Sequence, residues 1–388
     1  MPKKILFCAT VDYHFQAFHL PIMKWFKEQG WEVHVAAKGE IQLPYTDVKY
    51  DIAIERSPFK LKNVKGYYEL RTIMNENHYE IIHCHTPLGG VLARLAARKA
   101  RKKGTKVIYT AHGFHFHTGA PLLNWILYYP IEKQLSKYTD CLITINKEDY
   151  QLARNRKFRA EKIVQVHGVG VDTERFKPLS ESEKNKLKQS FRYRPDDCLF
   201  FYAAEFNKNK NQQLLIHSLA LIQTYVPNAK LLLAGEGALQ DQCRNLAKTL
   251  GIEYMIDFLG FRKDIEKLVP MCDVAVGSSY REGLPVNIME AMACGLPIVA
   301  SINRGHNELV QDQVNGYLVT PTDYGKFARS LLKLYQSKEL REQMGVASRN
   351  LVKTFSLPEI NAELSAIYTP YMLEEQDEAK SKYHRAYL

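Results

Sequence analysis

Two glutamates with seven residues between them, Glu282 and Glu290, stand in the segment YREGLPVNIMEAMACGLP, residues 280–297. Along a helix, eight steps of about 1.5 Å cover roughly 12 Å, which is comparable to a sugar joined to a nucleoside through phosphates. Carboxylates suit both ends of such a ligand because they accept paired hydrogen bonds from vicinal hydroxyls. Two glutamates taken alone are more often a loop charge and a surface helix charge, so their surroundings must decide.

The residues between these glutamates favour a binding site. A glycine follows Glu282, and a helix is predicted to begin near Val286, after a buried strand. Amides at a helix start have no partners within the helix and bind phosphate groups, and in a parallel sheet such starts lie at its carboxyl edge. The residues that we expect to bind the ligand here are Arg281, Gly283, Leu284, Pro285 and Glu290.

A second polar loop, Ala204–Asn211, follows the first predicted strand of the second half and contains Lys210. A lysine beside a diphosphate would stabilise the negative charge that grows on a departing nucleoside diphosphate. By itself the run NKNKNQ is more typical of a solvated loop. We predict that Lys210 and the loop of Glu282 converge on the same diphosphate.

Five histidines occupy two short segments of the first half, HCHTP and HGFHFH, and they are His83, His85, His112, His115 and His117. The first two share one strand face because side chains alternate along a strand. The pattern is compatible with a metal site, with buried structural histidines or with contacts to a bound sugar. Neither segment contains an aspartate or glutamate, so we favour sugar contacts and expect no metal requirement.

The elements that must position these residues alternate between short apolar runs and amphipathic stretches, as in parallel sheets covered by helices. The predicted strands are Lys4–Ala9, Glu32–Ala37, Ile81–His83, Lys106–Thr110, Cys141–Ile145, Ile163–Val166, Leu199–Ala203, Lys230–Ala234, Ile256–Phe258, Val274–Val276, Pro297–Ala300 and Gly316–Val319. The predicted helices are His19–Gln29, Leu88–Arg101, Ile131–Lys137, Gln212–Thr224, Leu239–Leu250, Val286–Ala293 and Lys326–Leu334. We predict an α/β protein with an acceptor-side domain, residues 1–175 joined by 365–388, and a donor-binding domain, residues 190–360.

The bulk composition, 46% hydrophobic and 24% charged residues, is that of an ordinary globular protein. Seven scattered cysteines without a CxxC pair argue against a disulfide scaffold or a zinc ribbon. Neither a secretory signal nor a transmembrane segment stands out. These features predict a cytoplasmic protein.

Positive charge is concentrated in the first half, since residues 1–172 hold 26 Lys and Arg against 16 Asp and Glu. Such an excess favours an anionic partner. A basic stretch ahead of the apolar, aromatic-rich residues 122–129 suits the surface of an anionic membrane, and no nucleic-acid-binding module accompanies it. A solvated basic face over buried aromatics is an equal alternative. The candidate membrane-surface residues are Arg94, Arg98, Arg101, Lys102 and Lys103.

Residues 280–297 resemble the Glu-x7-Glu signature of family-four retaining glycosyltransferases, which have the GT-B fold. Further motifs extend the resemblance over nearly the whole chain, and they are Gly170-Val171-Asp172, Gly235-Glu236-Gly237, Phe258-Leu259-Gly260 and Asn315-Gly316. The sequence HGFHFHTGAP…NW…YYPIEK is similar to that of the family branch whose members make capsular polysaccharide and exopolysaccharide. The resemblance implies two Rossmann-like domains whose parallel sheets face each other across a cleft, with a C-terminal helix returning to the first domain.

The resemblance also implies roles for individual residues. His112 would contact the donor sugar and, with Lys210 and Glu282, form the catalytic set, while Gly235 and Gly237 would line the nucleotide side. The acceptor side would take His83, His85, His115 and His117. The family pattern Gly-Arg-Leu, three residues, Lys-Gly is broken here, because Glu205 stands at the arginine position. A carboxylate cannot neutralise phosphate, so Lys208 or Arg281 would have to supply the missing charge.

The activity implied is transfer of a sugar, by analogy an N-acetylhexosamine, from a UDP-linked donor to a lipid-diphosphate-linked or saccharide acceptor, with retention of configuration. No cofactor is implied, because the nucleotide sugar is a substrate. Work on a lipid-linked acceptor would place the protein at the inner face of the cell membrane. The alternatives are a non-catalytic nucleotide-sugar-binding partner of another transferase and a nucleotide-sugar epimerase.

Overall fold

The structure, a computed structural model, describes the backbone of residues 2–386 and the side chains of residues 2–373. The chain divides into two compact units, the first made of Met1–Val169 and Pro358–Leu388 and the second of Gly170–Leu357. Each unit has its own sheet and its own buried core.

The first unit contains a seven-stranded parallel sheet with the order β3-β2-β1-β4-β5-β6-β7. Its strands are β1 (Lys4–Val11), β2 (Glu32–Lys38), β3 (Val48–Asp51), β4 (Ile81–Cys84), β5 (Lys106–Ala111), β6 (Cys141–Thr144) and β7 (Lys162–Gln165). Its helices are α1 (Tyr13–Phe18), α2 (Leu20–Glu28), α3 (Lys62–Glu76), α4 (Pro87–Ala96), α5 (Arg98–Arg101), α6 (Leu122–Leu135) and α7 (Lys147–Asn155). The central strands are buried on both faces, which explains their continuous apolar runs.

The second unit contains a six-stranded parallel sheet with the order β10-β9-β8-β11-β12-β13. Its elements begin with α8 (Glu181–Ser190), β8 (Cys198–Ala203), α9 (Gln212–Ile222), β9 (Ala229–Ala234), α10 (Gln240–Thr249), β10 (Ile256–Gly260) and α11 (Ile265–Leu268). They continue with β11 (Val274–Gly277), α12 (Val286–Ala293), β12 (Ile298–Ser301), α13 (Arg304–Leu309), β13 (Gly316–Val319), α14 (Tyr324–Gln336) and α15 (Lys338–Leu351).

A long last helix, α16 (Leu357–Ala386), carries the chain back to the first unit. Its residues Ile360, Tyr368 and Tyr371 are buried in the same cluster as β1 and α2, and Lys3 Nζ donates to the carbonyl of Met372 at 2.8 Å. The expectation of two Rossmann-like domains with a returning C-terminal helix is confirmed. Residues 387 and 388 of the predicted returning segment lie outside the described residues.

Several helices differ from the sequence expectation. The predicted helix Leu88–Arg101 is broken at Ala97 into α4 and α5, and α6 begins at Leu122 rather than at Ile131. Pro130 lies inside α6, on an exposed face where its missing amide costs little packing. The patterns missed α3 and β3, because α3 mixes charged residues with a glycine and β3 is a half-exposed edge strand.

The membrane-surface prediction is wrong for Arg94. Its side chain is 1% exposed, donates to Glu132 at 2.8 Å and lies over the ring of Tyr109 at 3.8 Å. Arg101 is partly buried, and its guanidinium group forms an ion pair with Asp140. Helical spacing alone grouped these arginines with exposed ones, because periodicity does not show which charge has a buried partner. Among the described residues, no helix combines the length and apolar content needed to span a bilayer.

Candidate active site

The loop after β8 positions Lys210. Its backbone amide donates to both the carbonyl and the side-chain oxygen of Asn207 at 3.1 Å, which closes a tight turn before α9. Its side chain then extends to Glu282, where Nζ lies 2.5 Å from Oε1. The structure therefore brings together the two residues that the sequence separates by 72 positions.

Hydrogen bonds to backbone carbonyl groups hold the Lys210 loop and the Glu282 loop together. Asn209 Nδ2 donates to the carbonyl of Arg281 at 2.9 Å, and the amide of Tyr280 donates to the carbonyl of Asn209 at 2.8 Å. From the other side, Arg304 Nε donates to the carbonyl of Glu282 at 3.1 Å. These bonds fix the two side chains relative to each other without relying on the ion pair.

A close approach of α13 further restricts the Glu282 loop. A Cβ atom at Gly305 would lie 2.8 Å from Cβ of Glu282 and 3.0 Å from the carbonyl oxygen of Gly283. Such contacts are shorter than side chains tolerate, so the glycine is needed to let α13 lie against this loop. Gly305 could not be recognised from the sequence, because an isolated glycine carries no signal of what packs on it.

The Lys210–Glu282 pair sets the electrostatics of this site. Burial alone would lower the pKa of Lys210, but the neighbouring Glu282 carboxylate outweighs it, and the pKa of Lys210 is raised. Lys210 is therefore fully protonated at neutral pH. A permanent cation at this point can stabilise a diphosphate leaving group.

The start of α12 lies directly after Glu282. Pro285 is the residue before the helix, and its side chain provides no cap. The amide of Ile288 donates to Oδ1 of Asn287 at 3.0 Å, which leaves the amides of Val286 and Asn287 for a ligand. Pro285 has no amide hydrogen and can only shape the turn. Leu284 is buried, so its side chain packs in the core and only its backbone could contact a ligand.

Glu290 lies in the second turn of α12 and is partly buried. Burial raises the pKa of this carboxyl to about 7, with Arg175 lowering it and Glu266 raising it. A carboxyl group in this state changes its charge near neutral pH. This agrees with a site that receives hydroxyl groups rather than with a solvated surface charge.

Gly235 and Gly237 support the Lys210 loop from β9. Their φ angles are +137° and +155°, and a Cβ at either would lie 2.1 Å from the carbonyl oxygen of Ala204 or 2.4 Å from that of Phe206. Both positions therefore require glycine. Their closeness to residues 204–206 explains why the GEG triplet accompanies that loop.

Glu205, in the same loop, is exposed, and its Oε2 accepts a hydrogen bond from Asn207 at 3.1 Å. The ion pairs described within residues 2–373 include neither Lys208 nor Arg281. Both cations are thus uncommitted and could replace the arginine that Glu205 displaces.

In the first unit, the strand ends bring histidines together. His85 follows β4 and His112 follows β5, and Nδ1 of the first lies 3.3 Å from Nε2 of the second. His14 in α1 and His19 between α1 and α2 join them, with 3.0 Å between their Nε2 atoms. His14 and His19 could not be recognised from the sequence, because nothing in the spacing shows that β1 lies beside β4.

The other three predicted histidines do not join this cluster. His83 is buried, and its ring nitrogens bond to the hydroxyls of Tyr368 and Thr110, so neither nitrogen remains for an acceptor and its role is structural. The ring of His115 lies over Tyr128 with 4.7 Å between centroids. His117 Nδ1 is 2.8 Å from the carbonyl of Thr118.

A large cavity of about 600 Å³ opens beside these histidines in the first unit. Its walls are mainly apolar and aromatic, with His14 and His115 among the polar members. Representative apolar lining residues are Val11, Leu88, Val91, Phe116, Tyr128 and Ile131. This volume is large enough for a substantial part of a small-molecule substrate.

Comparison with known proteins agrees with this fold. Residues 4–146 match the family described as "Glycosyl transferase 4-like", and residues 183–351 match "Glycosyl transferases group 1". The chain belongs to this family of GT-B glycosyltransferases, and it is a glycosyltransferase. Thus the family-four expectation from residues 280–297 is confirmed.

Individual proteins are similar to this chain over most of its length. The chain is 50% identical over 372 residues to "Putative glycosyltransferase EpsD" of Bacillus subtilis (strain 168), covering 96% of this chain and 98% of that protein. It is 26% identical over 301 residues to the Escherichia coli "UDP-Gal:alpha-D-GlcNAc-diphosphoundecaprenol alpha-1,3-galactosyltransferase", covering 76% and 77%. Among solved structures, Anabaena Alr3699/HepE in complex with UDP and glucose has a TM-score of 0.78 at 21% identity, covering 95% of this chain and 100% of that one.

Proposed function

We propose that this chain transfers a sugar from a UDP-linked donor to a lipid-diphosphate-linked saccharide during exopolysaccharide synthesis, with retention of the anomeric configuration. The preferred donor sugar in this proposal is an N-acetylhexosamine. The observation that carries the proposal is the contact of Lys210 with Glu282 beside the first turn of α12. The names of the similar proteins, which include a UDP complex and a diphosphoundecaprenol substrate, support the choice of donor and acceptor classes.

On the donor side, each group has one task. Lys210 and the first-turn amides of α12 take the diphosphate, and their positive charge stabilises the leaving group as the bond to the sugar breaks. Glu282 accepts hydrogen bonds from donor sugar hydroxyls, and Glu290 accepts them from the ribose. His112 completes the catalytic set as a contact to the donor sugar, a role taken from the family resemblance.

On the acceptor side, the cavity of about 600 Å³ supports a lipid-linked substrate. A saccharide alone would favour a cleft rich in hydrogen-bonding groups, whereas the walls here are mainly apolar. The lining also includes His115 and Arg56, and these can meet a polar head group. We infer that the apolar walls receive the start of the lipid chain and these polar residues its diphosphate and sugar.

Exposed apolar side chains support contact with the membrane that holds such a lipid. On α6, Leu122 is 74% and Ile126 60% exposed, and in the loop before α3 Phe59 is 90% and Leu61 86% exposed. Lysines alternate with the last two, in the sequence Phe59-Lys60-Leu61-Lys62. Aliphatic and aromatic groups interleaved with cations suit an anionic lipid surface. Of the predicted basic residues, Arg98, Lys102 and Lys103 are exposed and remain in this proposal.

The proposal is tested by incubating the purified protein with UDP-sugars and a lipid extract that contains polyprenyl diphosphate saccharides. The expected result is release of UDP together with transfer of labelled sugar into the lipid phase. The matched control is Glu282→Gln, in which both signals should be lost. UDP binding without UDP release from any donor would instead favour a non-catalytic binding protein.

Liposome flotation tests the membrane contact separately. The wild-type protein should float with anionic vesicles and remain unbound with neutral ones. Phe59→Ser and Leu61→Ser together should weaken flotation at least tenfold, because two inserted side chains contribute a few kcal/mol. Equal binding of anionic and neutral vesicles would contradict this part of the proposal.

A further inference from the structure

Four histidines of the first unit, His14, His19, His85 and His112, converge on one point. One ring nitrogen from each lies within 4.8 Å of those of the other three. They come from four different places in the chain, namely α1, the junction of α1 and α2, and the ends of β4 and β5. Such a convergence follows from the sheet order, because β1, β4 and β5 are neighbours and their carboxyl ends meet.

Two of the separations between these nitrogens are close to those of a tetrahedral ion site. His14 Nε2 lies 3.0 Å from His19 Nε2, and His85 Nδ1 lies 3.3 Å from His112 Nε2. With zinc–nitrogen bonds of about 2.0–2.1 Å, a tetrahedron has edges of about 3.3 Å. Since one ring nitrogen from each residue lies within 4.8 Å of the others, the largest separation must shorten by up to about 1.5 Å when an ion binds.

His19, His85 and His112 line a small cavity of about 20 Å³, which is large enough for one ion or water molecule. His83, the fifth histidine nearby, is excluded because Tyr368 and Thr110 occupy its nitrogens.

We propose that His14, His19, His85 and His112 together bind one divalent first-row metal ion, with Zn²⁺ as the expected occupant. A set of four imidazoles excludes Mg²⁺ and Ca²⁺, which require oxygen ligands, and selects zinc or its neighbours in the series. Since all four positions are filled by protein, the ion has no open site and acts structurally. It ties the β1–α1 segment to the ends of β4 and β5.

The ion would also fix the ring of His112. Coordination through Nε2 leaves Nδ1 protonated and sets the direction in which it donates a hydrogen bond. In this way the metal would orient a residue that the proposed function assigns to the donor sugar. Metal binding itself does not depend on that function, and its test below does not measure transfer.

The test uses protein without a polyhistidine tag, stripped with a chelator and then dialysed against Zn²⁺. Mass spectrometry of the metal content should find about one zinc per chain, and zinc should raise the midpoint of thermal unfolding. Cobalt should give the visible absorption of a four-coordinate ion. His19→Asn and His14→Asn should each lower zinc occupancy at least tenfold, while the control His78→Asn, an exposed histidine elsewhere in the unit, should bind zinc as the wild type does.

The outcomes separate clearly. Wild-type protein that retains no zinc, or a His14→Asn variant that retains as much as the wild type, would overturn the proposal. Should the buried His19→Asn variant fail to fold, the half-buried His14 carries the same comparison. Failure of sugar transfer with normal zinc binding would count against the proposed function alone.

Discussion

Nζ of Lys210 lies 2.5 Å from Oε1 of Glu282, although 72 positions separate the two residues in the chain. In this pair each charge neutralises the other. Under the proposed function, the diphosphate would give Lys210 a second anionic partner, and Glu282 would then be released toward the sugar hydroxyls.

Replacing Lys210 by alanine should lower turnover about 10²–10³-fold, because it removes a charge that acts on the leaving group. Acceptor binding should change far less. The control is Lys248→Ala, an exposed lysine in α10, which should keep wild-type turnover. Steady-state rates of UDP release measure the effect, and equal losses of turnover and of acceptor affinity would argue against a role at the diphosphate.

The raised pKa of Glu290 predicts a pH dependence of stability. In the folded protein this carboxyl keeps its proton up to about pH 7, whereas in the unfolded chain it loses it near 4.5. The contribution of Glu290 to the free energy of unfolding is therefore complete below its pKa in the unfolded chain, 4.5, and it is lost as the pH rises through its pKa in the folded protein, about 7. The difference corresponds to about 3 kcal/mol.

The Glu290→Gln variant has no ionisable group at position 290. Its free energy of unfolding should therefore fall less than that of the wild-type protein between about pH 5 and pH 8. Denaturant titrations at each pH measure this. Parallel stability curves for the two proteins would show that Glu290 is ionised in the folded state and that the burial argument fails.

Gly305→Ala should push the Glu282 loop away from α13. Alanine favours a helix more than glycine does, so any loss of stability reports the clash with Glu282 and Gly283. We expect a loss of about 1–3 kcal/mol together with slower turnover. Gly325→Ala in α14, where the nearest atom is the mobile end of Arg329 at 3.4 Å, is the matched control and should be neutral or mildly stabilising.

Arg94→Ala should destabilise the first unit by about 3–5 kcal/mol, because it leaves Glu132 buried without its cation. Lys102→Ala, on the exposed side of the same basic stretch, should change stability by less than about 0.5 kcal/mol. Thermal or denaturant unfolding measures the stability of the two variants. Similar unfolding midpoints for the two variants would mean that Arg94 is not held as the structure describes.

The sequence was most informative where several residues of one site are neighbours in the chain. Segment 280–297 carries a loop, a helix start and both glutamates, so its chemistry could be predicted before the fold was known. Contacts between distant segments were not predictable in the same way. The spacing in NKNKNQ suggested Lys210, but only the register of β8 beside β11 brings it to Glu282.

The errors have the same origin. Arg94 looked like its exposed neighbours because its partner Glu132 lies 38 positions away. His14 and His19 had no recognisable pattern, and they join His85 only because β1 pairs with β4. Local periodicity thus predicts which elements form, while the partners of buried charged and polar side chains depend on the sheet order.

Calorimetric titration with UDP tests the central claim, that Lys210 and Glu282 meet at the diphosphate. Lys210→Ala should weaken UDP binding at least tenfold, because a charge-assisted bond to phosphate contributes roughly 1.5–3 kcal/mol. Glu282→Gln should bind UDP as tightly as the wild type or more tightly, since it removes a negative charge next to the diphosphate, yet it should fail to transfer sugar. If both variants bind UDP with wild-type affinity, the diphosphate does not lie between these two side chains, and the account is contradicted.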